Sequence, residues 1–156
     1  PWPVPSVAPC AAFLAVTGLT GSDSRVPALR YRMTWIAIGG LAVAAVIALS
    51  LFRVPGPPGP PGIDKVFHAI AYGTLMGWWG MVQPGRRRAW AVGLVVLGLA
   101  MEGAQSLTGH RTLDYWDAAG NTLGVLLALA ILQTPVQGLL AWFDRQLADR
   151  LDPRAS

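Results

Sequence analysis

The sequence is short of charge. Only 13% of its 156 residues are Asp, Glu, Lys or Arg, whereas 53% are hydrophobic and the mean hydropathy is +0.45. A soluble domain carries about 25% charged residues, so this composition argues against an ordinary cytosolic domain. Disorder requires low hydrophobicity, and the same numbers exclude it for the chain as a whole.

Cysteine, lysine and glutamate occur once each, as Cys10, Lys65 and Glu102. The single cysteine excludes an intramolecular disulfide and a cysteine-based metal cluster. Arginine supplies nearly all of the positive charge, and the formal net charge is +4. Because the arginines lie between apolar runs and not on a polar patch with interleaved aromatics, they indicate membrane topology and no nucleic-acid partner.

Four apolar segments are long enough to cross the ~30 Å hydrocarbon core of a bilayer, which takes about 20 helical residues. They cover residues 33–52, 66–82, 89–107 and 115–133. We therefore predict an all-α polytopic membrane protein with a four-transmembrane-helix bundle over residues 33–133. The alternative, buried helices of a soluble core, leaves unexplained why four such segments follow one another with so few charges between them.

The two ends of the chain differ from this middle part. Residues 1–32 are Pro-rich and show no periodicity, so we expect a disordered tail or an extended start ahead of Met33. Residues 134–156 contain an amphipathic helix over 135–151, expected to lie flat on the membrane surface. Its apolar face consists of Val136, Leu139, Leu140, Phe143, Leu147 and Leu151. Asp144 is predicted to point away from that face.

The arginines predict an orientation. Arg86, Arg87 and Arg88 fill the second loop, which places that loop on the cytoplasmic side. Alternation of the spans then puts both termini in the cytoplasm, and the loops over 53–65 and 108–114 outside.

Glycine and tryptophan recur in the predicted spans. Two glycine pairs at a spacing of four permit close helix packing in lipid, or simply reflect the frequency of glycine in membrane helices: Gly73 and Gly77, Gly120 and Gly124. Four tryptophans lie near helix ends, where an interfacial belt is the expected role: Trp78, Trp79, Trp90 and Trp116.

The rare polar residues gather at the outward ends of three spans. Asp64, His68 and Tyr72 share one face of the second helix by their spacing of four. Glu102 and Gln105 share a face of the third. Asp114, Asp117 and Asn121 share a face of the fourth. A charge in lipid costs roughly 2.5–3.5 kcal/mol, so such residues usually face the bundle interior or a wet cavity.

This layer has the composition of a site. His68, Glu102 and Asp117 are candidate catalytic residues, because His and carboxylates permit general acid–base chemistry. The candidate substrate-binding residues are Asp64, Lys65, Tyr72, Gln105, Arg111, Asp114 and Asn121. Arg111 suits an anionic group, and Glu102 needs His68 or Arg111 as a partner unless it is protonated.

Two alternative interpretations of this layer are a polar clamp between helices and a site for a divalent metal. The metal would be held by Asp64, His68, Glu102 and Asp117. Because the sequence contains no metal-binding motif, we predict no metal.

Three blocks resemble the signature of the VanZ-like membrane protein family. The run from Asp64 to Tyr72 resembles its D-K-x-x-H-x-x-x-Y, Glu102–Gln105 its E-x-x-Q, and Arg111–Gly124 its R-x5-D-x3-N-x-x-G. The resemblance covers about residues 33–133. The chain departs from the family at Thr108-Gly109-His110, where Pro-Gly is common, which leaves the role of His110 open.

The resemblance implies a multi-pass protein of the bacterial cytoplasmic (inner) membrane, in a family whose namesake is linked to resistance to teicoplanin, a glycopeptide antibiotic. We expect an outward-facing site that binds or processes an amphiphilic anionic envelope component, such as a lipid-linked cell-wall precursor or a phospholipid. Two alternatives remain open: a small proton-coupled transporter using Glu102, and a non-enzymatic accessory protein. The sequence specifies no cofactor.

Overall fold

The computed structural model describes residues 28–51, 62–107 and 115–151, which fold almost entirely into helices. The prediction of an all-α fold is thereby confirmed for these ranges. In chain order the elements are α1 (Arg32–Leu51), α2 (Ile63–Val82), a 3-10 turn (Pro84–Arg86), α3 (Arg87–Leu107), α4 (Tyr115–Ile131), a second 3-10 turn (Pro135–Gly138) and α5 (Leu139–Leu151).

The helix α2 begins earlier than the apolar segment that predicted it. Gly62, with φ of +89°, precedes its first turn in a left-handed conformation that glycine adopts without a steric penalty. Asp64 lies in that first turn, where a negative charge interacts favourably with the helix dipole. Asp64 and Lys65 are therefore part of α2, and this fixes their positions relative to its neighbours.

Contacts between helix ends show that α1–α4 run alternately up and down. The end of α1 meets the end of α3, and the start of α2 meets the start of α4. We call the end of the bundle with Lys65, Glu102 and Asp117 the polar end. The opposite end, with Arg32, Arg86 and α5, is the arginine end.

The most extensive helix contact joins α2 and α4, which run parallel. A Cβ on Gly124 would overlap the backbone carbonyl of Ala69, and one on Gly73 would lie 3.1 Å from the carbonyl oxygen of Gly124. A Cβ on Gly120 would lie 3.1 Å from a backbone carbonyl oxygen of α2, whereas Gly77 faces open space. Close packing by glycine is therefore found at three of the four predicted positions.

The described helices bury a small apolar core and expose many apolar side chains. The core consists of Tyr72, Leu75, Met76, Leu94, Val125, Ala128 and Leu132. Exposed large apolar side chains occur on each of α1–α4 and include Ile38, Leu41, Leu49, Val66, Phe67, Ile70, Val92, Val96, Leu99, Leu123, Leu126, Leu127 and Ile131. In α1 only Trp35 and Gly39 are buried.

Length and apolar composition qualify one described helix, α1, as able to cross a membrane. A second span results if α4 and the segment Pro135–Leu151 count as one helix bent by 84°. This number is smaller than the four predicted spans. The helix α4 has 17 residues, and α2 carries Asp64, Lys65 and His68 in its first turns.

Asp144 of α5, predicted to lie away from the apolar face of that helix, is only 1% exposed, and its burial was not predicted. The indole N–H of Trp35 donates to its Oδ1 at 2.6 Å, and the backbone N–H groups of Tyr31 and Arg30 donate at 3.1 and 2.5 Å. Burial by itself raises the pKa of Asp144, but these hydrogen bonds and the nearby Arg30 charge lower that pKa below its usual value. The carboxylate therefore anchors α5 to the start of α1.

Since Asp144 packs inward, most of the predicted apolar face of α5 points outward. Leu139, Phe143 and Leu151 are exposed, as is Trp142. The side chains that α5 buries beside Asp144 are Leu140, Ala141 and Ala148. The helix therefore has the amphipathic character predicted for it, but its apolar surface remains uncovered by the described residues.

Tryptophans build the arginine end. Trp79 stacks on Trp90 with ring centroids 3.9 Å apart and is only 4% exposed. Trp78 donates its indole N–H to the carbonyl oxygen of Trp35 at 3.1 Å. A place in an interfacial belt is therefore wrong for Trp79, because its ring belongs to the packed interior, whereas Trp116 is exposed.

Candidate functional site

The polar end contains buried polar side chains from two helices, α3 and α4. Glu102 is 5% exposed, and Gln105, Asp117 and Asn121 are buried as well. Tyr72 of α2 is buried beside them. This arrangement agrees with the expectation that the polar residues near the helix ends face the interior of the bundle.

An ion pair joins α2 to α4. The Lys65 Nζ lies 2.9 Å from Oδ1 of Asp117 and 3.5 Å from Oδ2 of Asp64. The Asp117 side chain is 1% exposed, whereas that of Lys65 is 31% exposed. The pair forms because both residues lie near the starts of parallel helices held close by Gly120. Lys65 and Asp117 were predicted in one polar layer, but their pairing follows only from the parallel packing.

Tyr72 and Glu102 come together from different helices. The Glu102 carboxylate is close enough to Tyr72 to interact with it electrostatically. The Tyr72 hydroxyl is fully buried and has no hydrogen-bond partner within the described ranges. His68, one turn earlier on the same face of α2, is half-buried. A buried carboxylate beside a phenol can exchange a proton with a third group that reaches both.

Gln105 has a structural contact that the sequence did not predict. Its Nε2 donates to the backbone carbonyl of Ser50 at 2.8 Å. That carbonyl belongs to the last turn of α1, where helix geometry leaves carbonyl groups without partners. Gln105 therefore joins the end of α3 to the end of α1, in addition to any role in orienting a ligand.

Asn121 packs against a glycine of α3. A Cβ on Gly98 would lie 2.9 Å from the Asn121 Nδ2, so only glycine leaves room for the amide. The Asn121 Oδ1 is buried and accepts no hydrogen bond from the residues that the structure describes. Buried polar atoms in proteins nearly always have a partner, which can be a bound water or a ligand group.

Two residues of the predicted site, Arg111 and Asp114, lie outside the described residues, as does His110, whose role was left open. In the part of the chain that is described, no three His, Cys, Asp or Glu residues lie close enough together to hold a metal ion. Asp64, His68, Glu102 and Asp117 are therefore not arranged as a ligand set there.

The described ranges form an all-helical bundle with apolar side chains exposed on α1–α4 and with Glu102, Gln105, Asp117 and Asn121 buried near the polar end. No family model, curated protein or solved structure matches the chain. The resemblance to the VanZ-like family therefore rests on the residues quoted for it above.

Proposed function

We propose that the chain is a four-span VanZ-like protein of the bacterial inner membrane, with both termini cytoplasmic. Its polar end binds or processes an amphiphilic anionic envelope component, such as a lipid-linked cell-wall precursor or a phospholipid. One observation carries the proposal: the Tyr72 hydroxyl and the Asn121 Oδ1 are buried among ionisable groups without a partner in the described ranges. A ligand's polar group would satisfy both.

The exposed apolar faces of α1–α4 support membrane residence. Large apolar patches on a protein surface indicate a membrane or protein interface, and here they occur on every helix of the bundle. The four helices have 17 to 21 residues. At 1.5 Å per residue they are about 26–32 Å long, which fits the hydrocarbon thickness of a bilayer.

The charge distribution supports an outward-facing polar end. The described arginines at the other end are Arg30, Arg32, Arg86, Arg87, Arg88, Arg145 and Arg150. The polar end has Lys65 as its described cation, and this lysine is paired with Asp117. Arginine-rich loops remain on the cytoplasmic side, so the arginine end is the inner one in this proposal.

The chemistry available at the polar end is proton transfer beside an anion-binding residue. In the proposed site Glu102 exchanges a proton, with Tyr72 and His68 in reach of the same ligand. Arg111, assigned from the sequence alone, would hold the anionic group. Lys65 and Asp117 position α2 and α4 around the site.

The apolar core below the site argues against a transport path. Leu75, Met76, Leu94 and Val125 fill the bundle between the two ends. A proton-coupled transporter would need polar groups or water at that depth. In this proposal the ligand therefore enters and leaves at the polar end.

A second candidate function is that of a non-enzymatic accessory protein with a polar clamp. The Lys65–Asp117 ion pair and the Gln105–Ser50 hydrogen bond each join two helices, as a clamp would. A clamp leaves the buried Tyr72 hydroxyl unexplained, since it joins no two described elements.

Replacing Tyr72 by Phe separates the two candidates. The change removes one oxygen that has no described partner, so stability should be unchanged within about 1 kcal/mol. If the hydroxyl contacts a ligand, the variant loses function. The full chain is expressed in a glycopeptide-sensitive bacterium, and its teicoplanin resistance is measured together with that of Glu102→Gln and His68→Ala.

The matched controls are Tyr31→Phe and Asp149→Asn, which make similar chemical changes at the arginine end. We expect Tyr72→Phe, Glu102→Gln and His68→Ala to lower resistance to the level of cells without the protein, while both controls retain it. Membrane fractionation and thermal unfolding confirm insertion and folding. Full resistance in all three site variants contradicts the site. Loss only in variants that also unfold supports the clamp.

A further inference from the structure

An open cleft lies at the arginine end, between the start of α1 and the turn that joins α2 to α3. Its volume is about 380 Å³, and it is lined by Arg32, Val82, Gln83, Pro84, Gly85 and Arg86. The proposed site is at the opposite end of the bundle, so this cleft is a separate feature.

The positive charge in the cleft is uncompensated. The guanidinium groups of Arg32 and Arg86 form no ion pair or hydrogen bond with the described residues. The neighbouring Arg87 is engaged, since it donates to the Gly80 carbonyl at 3.0 Å and to Gln137 at 2.9 Å. Asp144, the buried carboxylate at this end, is enclosed by three N–H donors. An anion from outside the chain would therefore complement the cleft.

Gln83 supplies a further donor. Its Oε1 accepts the indole N–H of Trp90 at 3.3 Å. Because an indole N–H can only donate, this contact fixes the orientation of the amide. The Nε2 group is therefore directed away from Trp90 and is available as a donor where Gln83 lines the cleft. Two guanidinium groups and one amide provide donors that suit the oxygens of a phosphate group.

We propose that this cleft binds the phosphate of an anionic phospholipid of the inner leaflet. A lipid is favoured over free phosphate because α5 exposes the apolar side chains Leu139, Trp142 and Phe143 at the same end of the bundle. Acyl chains would cover these side chains while the headgroup enters the cleft. The inference rests on the membrane residence in the proposed function, but not on any activity at the polar end.

The test uses the full chain purified in a neutral detergent. Dihexanoyl phosphatidylglycerol, dihexanoyl phosphatidylcholine and inorganic phosphate are titrated separately, and the shift of the thermal unfolding midpoint is measured. We expect saturable stabilisation by the phosphatidylglycerol alone. The double variant Arg32→Gln/Arg86→Gln should bind it at least tenfold more weakly. The double variant Arg145→Gln/Arg150→Gln, with the same change of charge at exposed positions of α5, should bind within twofold of the wild type.

Three results would overturn the proposal. Equal loss in both double variants would mean a diffuse electrostatic attraction to the whole end. Equal stabilisation by inorganic phosphate would mean a free-anion site, and equal stabilisation by phosphatidylcholine would remove the role of charge. Carbonate extraction of cell membranes provides the separate check. Extraction of the chain from the membrane would contradict membrane residence itself. A chain that stays in the membrane while the variants bind phosphatidylglycerol normally would contradict only the lipid site.

Discussion

The bundle buries one aspartate at each end, and their surroundings differ. Asp144 at the arginine end accepts hydrogen bonds from an indole and two backbone N–H groups, all within the packed junction of α1 and α5. Asp117 at the polar end is paired with the ammonium group of Lys65, which is 31% exposed. Each carboxylate is almost inaccessible, but Asp144 is held by backbone and indole donors, whereas Asp117 is held by a flexible side chain.

The difference lies in how firmly each carboxylate is held. Backbone donors cannot leave Asp144 without unfolding the start of α1. The lysine that holds Asp117 has a flexible four-carbon stem. The ion pair at the polar end can therefore rearrange, whereas the hydrogen bonds of Asp144 at the arginine end cannot.

Removal of the Asp144 carboxylate should have the largest effect. Asp144→Ala leaves three buried or half-buried N–H donors without their acceptor, and hydrogen bonds to charged groups contribute about 1.5–3 kcal/mol each. We expect a loss of about 3–5 kcal/mol in the free energy of unfolding, measured by denaturant titration in detergent. Asp149→Ala, at an exposed position of the same helix, should change it by less than about 0.5 kcal/mol. A small effect of Asp144→Ala would contradict the anchoring role.

Removal of the Lys65 ammonium should have the next largest effect. Lys65→Met leaves the Asp117 carboxylate buried without its cation, at a cost of about 2–4 kcal/mol. Asp64→Asn removes the weaker contact at 3.5 Å and a charge that favours the helix dipole, and should cost less than about 1 kcal/mol. The double variant Lys65→Met/Asp117→Leu should recover much of the lost stability, because neither charge of the pair remains. Additive losses in the double variant would show that the two side chains are not coupled.

A change of helix spacing should have a smaller effect, confined to the polar end and the α2–α4 contact. Gly124→Ala forces a Cβ against the Ala69 carbonyl, so α2 and α4 move apart, at an expected cost of about 1–3 kcal/mol. Gly77→Ala places its methyl group in open space, and should be neutral or stabilising by up to about 1 kcal/mol. Thermal unfolding compares the two variants. Equal behaviour would mean that glycine does not set the spacing.

Local patterns predicted the helices and much of the polar end. Apolar periodicity located α1–α4 to within a few residues, because side-chain polarity is a local property. The spacing of four also identified Gly120 and Gly124, whose contacts with α2 are backbone contacts. Glu102 and Asn121 are buried, as expected for polar residues that share helix faces within apolar segments.

Long-range partners decided what the sequence could not predict. Asp144 was predicted only to lie away from the apolar face of α5, and its indole donor lies 109 residues earlier in the chain. The Tyr72–Glu102 and Gln105–Ser50 contacts likewise depend on how helices pair. Helical spacing identifies which side chains share a face but not which face of another helix they meet.

The parallel contact of α2 with α4 has a consequence for how the protein is made. The ribosome synthesises α2 and α3 before α4. Until α4 has been made, Gly73 and Lys65 of α2 lack their contacts with that helix. The main partner of α2 arrives only after the intervening helix has formed, which makes this a contact of high sequence separation. A chain that ends after α3 would therefore lack both the Asp117 partner of Lys65 and the helix that packs against Gly73.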